Sequence, residues 1–463
     1  MLIPALVNAS DSDPLSNWKN FVSSSLICCF FGISLFLITR GSIAKLDIKQ
    51  SFILTTASWI VTAIFASLPF YFNSPGMTIT DSFFEAMSGI TTTGSTIIVN
   101  LDNTSKGILL WRAILQWLGG IGFVILAITV LPMLKVGGNQ VFQSEFSDAS
   151  SRTRHKITSL ASWIGSIYLA LTIICSLSYW AAGMSGFNAI VHSMTTIATG
   201  GFSTSDLSIG LFSNIYIEII AIIFMILGSL PFIIYVTTLS GNINSVLKDT
   251  QIKWFFCVLI FFILIVCLWQ MNYNETKFSV ALRESAFNVT SILTGTGYAT
   301  SDYWKWGTFP SVVFLFLMFI GGCAGSTSCS IKIFRYQILF STMKSQIIKL
   351  VRPHQVYVPT YNGNPISENI TDTVFAFFFL FLLSFSLLAL SLSAIGLDFV
   401  TSISSAATAI TNVGPGLGSL VGPASTFAEL PNAAKWVMSI GMLIGRLEIF
   451  IIITIFTRSF WNS

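Results

Sequence analysis

Four short stretches of small, uncharged residues recur along this chain, and each carries a glycine between two strongly apolar segments. Aligned on that glycine, they occupy residues 91–95, 198–202, 294–298 and 411–415. The polar groups that all four stretches share are backbone carbonyls and threonine hydroxyls. Rings of backbone carbonyls replace the hydration shell of a potassium ion in membrane proteins. Four such stretches in one chain therefore predict a single K⁺ site with four walls.

The candidate ligands of this ion are the aligned glycines and the two residues before each of them. They are Thr92, Thr93, Gly94, Thr199, Gly200, Gly201, Gly295, Thr296, Gly297, Asn412, Val413 and Gly414. Glycine is needed where φ is positive or where a side chain would obstruct a pore. The fourth stretch lacks the hydroxyls of the first, so we expect a lopsided site. Ordinary tight turns between helices are the alternative, which four stretches in register make less favourable.

Composition places the chain in a membrane. Of its 463 residues, 53% are hydrophobic and only 9% are charged, whereas soluble proteins carry about a quarter charged residues. Several nearly uncharged windows, such as 52–72, 254–271 and 374–395, are long enough to cross a bilayer. The net charge of +4 suggests no nucleic-acid partner. The scattered cysteines and histidines indicate no resident metal or cofactor, and no nucleophile–base pair that would indicate an enzyme is visible.

The elements that must position the glycine stretches form four similar units. We predict an N-terminal segment (1–50) with one clear transmembrane helix, followed by pore units at 51–156, 157–253, 254–350 and 351–463. Each unit has a spanning helix, a short segment, the glycine stretch and a second helix; the second helices are predicted at 107–132, 213–238, 309–340 and 435–457. The expected fold is an all-α polytopic membrane protein with its units arranged pseudo-four-fold around one pore.

The short segments, at 81–90, 188–197, 284–293 and 401–410, are too short to span a bilayer and should dip in and return. Backbone at that depth must be buried in protein or line water. The C-terminal ends of these helices would aim their negative dipoles at the centre, which favours a cation. Their expected N-terminal residues are Asp81, Asn188, Glu284 and Thr401, three of which are good helix caps.

Other polar residues are expected to support the glycine stretches. Glu85 and Asn288 lie at equivalent places in the short helices, and we interpret them as braces. His192 is interpreted as structural. Gln116, one helical turn from Arg112, could brace the candidate filter, while Arg112 could equally be an interfacial anchor.

Basic residues concentrate in the loops on one side of the predicted membrane topology. They include Lys45, Lys135, Arg152, Lys248 and Lys349. Because cytoplasmic loops carry an excess of Lys and Arg, that side is predicted to be cytoplasmic. The glycine stretches then face the outside.

A run of small residues at 321–330 interrupts the second helix of the third unit. Its candidate gating residues are Gly321, Gly322, Gly325, Ser326 and Thr327. A phosphate-binding loop is rejected, since no Lys-Ser/Thr pair closes the run and it lies at membrane depth. Two hypotheses remain, namely a close helix–helix contact and a flexible loop that blocks the pore below the filter.

Arg446 is predicted to lie midway along the last helix. A lone charge there costs about 3 kcal/mol on insertion scales, so it should face the pore or a partner. We expect Arg446 to face a water-filled cavity below the filter and raise the barrier for cations, with Glu448 touching the 321–330 loop. A structural arginine paired at a helix interface is the alternative.

From about residue 21 onward the chain resembles the Trk/Ktr/HKT superfamily of potassium transporters, most closely its bacterial TrkH branch. The resemblance rests on Trp-Arg-Ala-Ile-Leu-Gln-Trp-Leu-Gly-Gly at 111–120, Gly-Gly-Cys-Ala-Gly-Ser-Thr at 321–327 and Gly-Arg-Leu-Glu at 445–448. It implies a dimeric, potassium-selective protein of the bacterial inner membrane, gated by a cytosolic TrkA-type ring to which any nucleotide would bind. The loop hypothesis and a potassium preference associated with Gly94 are also implied. Family members usually have a complete helix before residue 21, and here residues 1–9 look like only its end.

The sequence thus predicts the pore-forming subunit of a potassium uptake system. The alternative within transport is a proton- or sodium-coupled symporter, which buried carboxylates along the pathway would favour. Glu218 and Glu448 are nearly the only acidic residues deep in the predicted helices.

Overall fold

The structure is a computed structural model that describes residues 1–11, 17–41, 47–74, 76–129, 153–239, 241, 249–355 and 357–462. Helices account for almost all regular structure in these ranges, as expected; the exception is a two-stranded hairpin of β1 (Thr360–Tyr361) and β2 (Asn364–Pro365). Lys45, Lys135, Arg152 and Lys248, which were used to predict orientation, lie outside the described residues.

The N-terminal segment and the first unit supply five helices. They are α1 (Leu2–Ser10), α2 (Trp18–Thr39), α3 (Ile48–Asn73), α4 (Ile79–Ile90) and α5 (Lys106–Thr129). The second unit has α6 (Thr153–Ala181), α7 (Gly186–Ile197), α8 (Ile215–Ser229) and α9 (Phe232–Leu239). The third has α10 (Thr250–Tyr273), α11 (Phe278–Leu293), α12 (Thr308–Phe319) and α13 (Ile333–Val351), and the fourth has α14 (Glu368–Ala394), α15 (Phe399–Thr411), α16 (Asn432–Arg446) and α17 (Ile449–Ile455), with a final α18 (Arg458–Asn462).

Six of the described helices are long and apolar enough to cross a membrane, and two bent helix pairs raise this number to as many as eight. Much of the surface of these spans is apolar and exposed, as lipid contact requires. The four short helices α4, α7, α11 and α15, here called the pore helices, are instead mostly buried. The predicted arrangement of spanning and re-entrant helices is therefore confirmed.

The second helices of units two, three and four are broken, which corrects two of the predicted segments. The predicted helix at 213–238 bends by 88° between α8 and α9, and that at 435–457 bends by 110° between α16 and α17. In unit three the break is the predicted interruption after Phe319. Pro231 explains the bend in unit two, because proline has no N–H and excludes the preceding residue from helical geometry.

Candidate functional site

The pore helices begin earlier than the sequence suggested. In three units the residue before the helix caps it with a short polar side chain that accepts a hydrogen bond from a backbone amide. Thr78 accepts from the amide of Asp81 (3.1 Å), Ser185 from that of Asn188 (3.3 Å) and Asp398 from that of Thr401 (3.1 Å). The prediction that Asp81, Asn188, Glu284 and Thr401 begin these helices is therefore wrong. Three of them are third residues of the helix that donate to the true cap, a common arrangement at helix starts.

The start of the third pore helix differs. It begins at Phe278, without a capping side chain, so Glu284 lies in its second turn. At the start of the fourth, hydrogen bonds from the side chain and amide of Thr401 lower the pKa of Asp398, which therefore remains charged near the positive end of the helix dipole.

All four pore helices end in the same backbone conformation. The residue two places before each aligned glycine has positive φ: 55° at Thr92, 48° at Thr199, 78° at Gly295 and 53° at Asn412. In unit one the amides of Thr92 and Thr93 return to the carbonyls of Gly89 and Ser88, which is the Schellman ending. This ending turns the chain out of the helix, so that the glycine stretch runs onward across the end of the pore helix.

The aligned glycines bring the four stretches into one closed ring. A Cβ on Gly94 would lie 2.2 Å from the carbonyl oxygen of Gly200, and one on Gly201 would lie 1.9 Å from that of Thr296. A Cβ on Gly297 would lie 3.0 Å from the amide nitrogen of Gly414. Unit four closes the circle, since a Cβ on Gly414 would lie 3.0 Å from the carbonyl oxygen of Thr93. Each glycine therefore admits the backbone of the next unit.

The fourth unit departs from the symmetry, as predicted. Gly94, Gly201 and Gly297 have φ of 88°, 77° and 82°, whereas Gly414 is not among the positive-φ residues. Pro415 follows Gly414 directly. The four walls of the ring are therefore unequal.

The residue after each glycine packs on the preceding unit. Phe202 lies under the guanidinium of Arg112, with 4.0 Å between Cζ and the ring centroid. The hydroxyl of Tyr298 contacts Thr195 and donates to the carbonyl of His192 (3.2 Å). Ser95 in turn donates from Oγ to the carbonyl of Gly414 over 2.9 Å. Contacts of this kind lock neighbouring units together around the ring.

The predicted braces hold the chain where it leaves the ring. Glu85 accepts hydrogen bonds from the hydroxyl of Thr96 and the amide of Ile97, both at 3.0 Å. Asn288 donates to the hydroxyl of Thr300 over 3.1 Å. These contacts agree with the interpretation of Glu85 and Asn288 as braces.

His192 occupies the same place in unit two, with Nε2 3.1 Å from Oγ of Ser203. In unit four the supporting side chain is one position earlier, at Ser404, whose Oγ accepts a hydrogen bond from the amide of Leu417. All four pore helices therefore hold the emerging strand through a polar side chain.

Arg112 and Gln116 connect unit one to unit two. Arg112 is 1% exposed, and it donates from Nε to Glu85 (2.8 Å) and from Nη1 to the carbonyl of Ser203 (2.8 Å). Gln116 donates to the carbonyl of Gly200 and accepts from the amide of Phe202. This burial rules out the interfacial-anchor interpretation of Arg112, and both residues support the candidate filter.

The threonine hydroxyls of the ring are largely engaged within the protein. Thr93 lies 2.8 Å from Oγ1 of Thr91, and Thr296 lies 2.8 Å from Oγ1 of Thr294. These two hydroxyls therefore brace the stretches.

A cavity of about 420 Å³ opens on one side of the ring. It is lined by all four aligned glycines, and Asp206 and Glu429 add two carboxylates to its wall. Carboxylates at the mouth of a pore raise the local concentration of cations.

The 321–330 run lies against the opposite side of the ring. The hydroxyl of Thr199 is 3.2 Å from that of Thr327, and the hydroxyl of Thr92 is 3.5 Å from Sγ of Cys329. A Cβ on Gly295 would lie 3.6 Å from the amide of Cys329. The loop thus contacts three of the four units directly where the pore helices end.

The loop also fills the break in unit two. The amides of Cys323 and Thr327 donate to the carbonyls of Ser229 and Gly228, over 3.1 and 3.2 Å, and the amide of Phe232 donates to the carbonyl of Gly325 over 2.9 Å. These bonds satisfy backbone groups that the end of α8 leaves free.

Bonds within the loop complete its fold. The amide of Gly321 donates a hydrogen bond to the carbonyl of Ile331, and the amide of Gly322 donates to Oγ of Ser328. The hydroxyl of Ser326 donates to the carbonyl of Cys323. The run is a folded intramembrane loop, so the simple helix–helix contact hypothesis is wrong.

Arg446 and Glu448 occupy places different from those expected. Arg446 is the last residue of α16, at the break, and only 1% of its surface is exposed. Its guanidinium contacts the carbonyl of Thr327 (3.3 Å), Sγ of Cys329 and the carbonyl of Gly119 (3.0 Å). In place of the expected water-filled cavity, Arg446 adjoins only a small one of about 10 Å³ in the described part of the chain, because the loop fills most of that space.

Glu448 forms an ion pair with Arg335 on α13. No hydrogen bond to the loop is found for Glu448 in the described part of the chain, so the expected contact is replaced by this ion pair. Arg446 is the residue that touches the loop. The assignment of the two residues failed because the bend after Arg446 turns Glu448 away from the direction of a continuous helix.

Sequence reasoning missed the glycines that seat the second helices. A Cβ on Gly119 would lie 1.9 Å from the carbonyl oxygen of Ile90, and one on Gly445 would lie 2.2 Å from that of Ile410. Each carbonyl belongs to the last turn of a pore helix. The sequence signal for these contacts was a glycine in the second helix of three units: Gly119 in unit one, Gly228 in unit two and Gly445 in unit four.

A ring of four re-entrant backbone stretches at the ends of four pore helices, within an apolar helical shell, defines a membrane protein that conducts cations. The chain belongs to the TrkH family of cation transport proteins, whose model matches residues 17–462. It is 42% identical to the Trk system potassium uptake protein TrkI of Halomonas elongata, over 100% of this chain and 94% of that protein. It is 35% identical to TrkH of Escherichia coli K12, over 100% and 96%.

The fold agrees with a solved member of the family. The crystal structure of the potassium transporter TrkH from Vibrio parahaemolyticus matches with a TM-score of 0.91 and 35% sequence identity, covering 99% of this chain and 95% of that one. The predicted all-α, four-unit architecture is confirmed by this match. These relatives are transporters, and the chain is an integral membrane protein like them.

Proposed function

We propose that this chain is the pore-forming membrane subunit of a potassium uptake system. The observation that carries the proposal is the closed ring, in which each aligned glycine admits the backbone of the next unit. Ions would lose their hydration shell to the carbonyls of this ring and pass down the electrical gradient. The ligands are the residues of the four stretches, from Thr92–Gly94 to Asn412–Gly414. No covalent bond is made or broken.

The 321–330 loop is the gate of this pore. It lies directly under the ring, and Arg446 holds it through Thr327 and Cys329. Gly321, Gly322 and Gly325 give the loop the backbone freedom that withdrawal requires. A buried guanidinium at this point also repels cations that leave the ring.

The proposal extends to the surroundings of the pore. The chain acts as a homodimer in the bacterial inner membrane, with the glycine stretches facing outside. A cytosolic TrkA-type ring, which alone binds nucleotide, controls the gate. The names of the relatives as components of Trk systems support a regulatory partner.

The alternative function is symport driven by protons or sodium. It would use a deep carboxylate as the coupling group, yet Glu85, Glu218 and Glu448 each have an arginine partner in the described chain. This pairing supports electrically driven conduction. Uptake that stops when the proton gradient is collapsed at constant voltage would instead establish symport.

The proposed function is tested by rubidium uptake into potassium-starved cells that lack other uptake systems, with sodium as competitor. We expect saturable uptake that excess sodium does not suppress. Gly201→Ala should abolish it, since the added Cβ would lie 1.9 Å from the carbonyl oxygen of Thr296. The matched control is Gly396→Ala, also at positive φ (104°) but with open space around it. Uptake equal in both variants would overturn the proposal.

A further inference from the structure

Cys329 lies at the point where the loop, the ring and the last long helix meet. Its Sγ is 3.5 Å from the hydroxyl of Thr92 in the ring and accepts from Nη1 of Arg446 at the end of α16. The residue is 4% exposed. The sulfur that contacts the ring is thus also the atom that Arg446 holds.

A small cavity adjoins this sulfur. It measures about 10 Å³ and is lined by Cys329, Lys332, Arg446 and Glu448, among others. A space of this size admits about one water-sized atom. It therefore leaves room for a single oxygen beside Sγ and for little else.

Arg446, which lines the same cavity, has an unused donor. Its Nε is buried and has no hydrogen-bond acceptor in the described chain, although Nη1 and Nη2 are both engaged. A buried donor without an acceptor costs roughly 1–3 kcal/mol. The unpaired Nε of Arg446 therefore indicates a missing acceptor atom, which the loop does not supply while Cys329 is a thiol.

The two observations together indicate a covalent modification. We propose that Cys329 is a site of reversible oxidation by hydroperoxides, and that the oxygen added to Sγ occupies the cavity and accepts a hydrogen bond from Arg446. Reactive cysteines occur in electropositive and partly exposed surroundings. Arg446 and Lys332 supply the positive charge beside Cys329, and its 4% exposure, together with the cavity that it lines, supplies the access for hydroperoxide.

The chemical step balances with hydrogen peroxide as the oxidant. The sulfur attacks one oxygen of the peroxide, the O–O bond breaks and an S–O bond forms. The thiol becomes a sulfenic acid, oxidised by two electrons, while the second oxygen takes the thiol proton and leaves as water. An added dithiol reverses the step, returning the thiol and releasing water as it forms its own disulfide.

The oxidised residue would hold the loop more firmly under the ring. Each hydrogen bond between Arg446 and the loop must break before the loop can withdraw, and bonds to a charged donor are the stronger kind. Oxidation should therefore lower potassium flux by roughly tenfold, the effect of one such bond on a two-state equilibrium. This consequence rests on the proposed function, whereas the modification itself does not.

The test uses purified full-length protein in proteoliposomes, with two independent measurements. After peroxide treatment the protein is unfolded in dodecyl sulfate that contains dimedone, so that the buried residue becomes accessible, and peptide mass spectrometry then reports sulfenic acid at Cys329. Rubidium uptake by the untreated and the peroxide-treated proteoliposomes reports flux. We expect a dimedone adduct at Cys329, together with an approximately tenfold fall in uptake that dithiothreitol reverses. Cys329→Ala should remove both responses, with its flux compared to its own untreated value. Cys323→Ala, in the same loop, should retain them.

Three results would overturn the proposal. They are the absence of an adduct at Cys329 in the wild-type protein, an adduct that leaves uptake unchanged, and a fall in uptake that persists in Cys329→Ala. The adduct is measured on the wild-type chain, so this arm does not depend on the folding of a variant. Lack of rubidium uptake before any peroxide is added would instead count against the proposed function and leave the adduct result standing.

Discussion

Asn412 of unit four donates a hydrogen bond from Nδ2 to Oγ1 of Thr93 in unit one over 3.0 Å. The same Nδ2 also reaches the carbonyl of Met442 on α16 over 2.8 Å. Units one and two have threonine at the equivalent position, and unit three has glycine. Asn412, one of the residues in which unit four differs from the other three, therefore also ties the first and last walls of the ring together.

The Asn412 bond predicts a loss of selectivity in Asn412→Thr. Threonine is accepted in the same left-handed conformation at Thr92 and Thr199, so the backbone should remain in place while the bond to Thr93 is lost. One buried hydrogen bond contributes about 1 kcal/mol, which predicts a fall of roughly fivefold in the preference for potassium over sodium. Reversal potentials in proteoliposomes measure this ratio.

A matched control exists for this substitution. Asn100 is likewise at positive φ (64°), but it lies outside the ring and is exposed. Asn100→Thr should leave the ratio unchanged. An equal shift in both variants would show that backbone strain, and not the contact with Thr93, is responsible.

Serine substitutions at the ring glycines should differ in severity. A Cβ on Gly94 would lie 2.2 Å from a carbonyl oxygen of unit two, whereas on Gly414 the nearest atoms lie at 3.0 Å. Gly94 also has φ of 88°, which a serine tolerates poorly. We expect Gly94→Ser to shift selectivity strongly toward sodium and Gly414→Ser to shift it less. Sodium competition against rubidium uptake gives the order, and the reverse order would contradict the geometry of the ring.

Removal of Arg446 should open the gate. Arg446→Ala breaks the contacts to Thr327, Cys329 and Gly119, and it also removes a positive charge from beneath the ring. Potassium flux should rise by about tenfold or more, since a single lost bond to a charged donor already contributes about 1.5 kcal/mol. Initial rates of rubidium uptake, normalised to protein in the membrane, report the change. Arg40→Ala, at an exposed position, provides the control, and unchanged or lower flux in Arg446→Ala at normal expression would refute the gating role.

Much of this architecture could be predicted because the units repeat. Alignment on Gly94, Gly201, Gly297 and Gly414 located the pore helices, and a repeated position identified Glu85 and Asn288 as supports. Spacing alone could not locate the helix starts, since Asp81 is as good a cap as Thr78 when judged by residue type.

The bends explain the remaining failures. Arg446 and Glu448 were placed on one continuous helix, but the chain turns by 110° between α16 and α17. Glu448 has φ of 60°, a conformation that is uncommon for any residue other than glycine. The sequence at this point contains neither proline nor glycine after Arg446, so no local signal predicted the turn. Tertiary contacts with the loop and with Arg335 determine it.

The ion pair between Arg335 and Glu448 should contribute to stability only as a pair. Both side chains are buried, with exposures of 1% and 7%, so removing one partner leaves an uncompensated buried charge. Glu448→Gln should therefore destabilise the protein by about 3–5 kcal/mol, whereas replacing both residues, as in Arg335→Met with Glu448→Leu, should restore much of the loss. Thermal unfolding midpoints in detergent measure the cycle. A double variant as unstable as Glu448→Gln would show that Glu448 acts through the backbone turn that it occupies, and not through its charge.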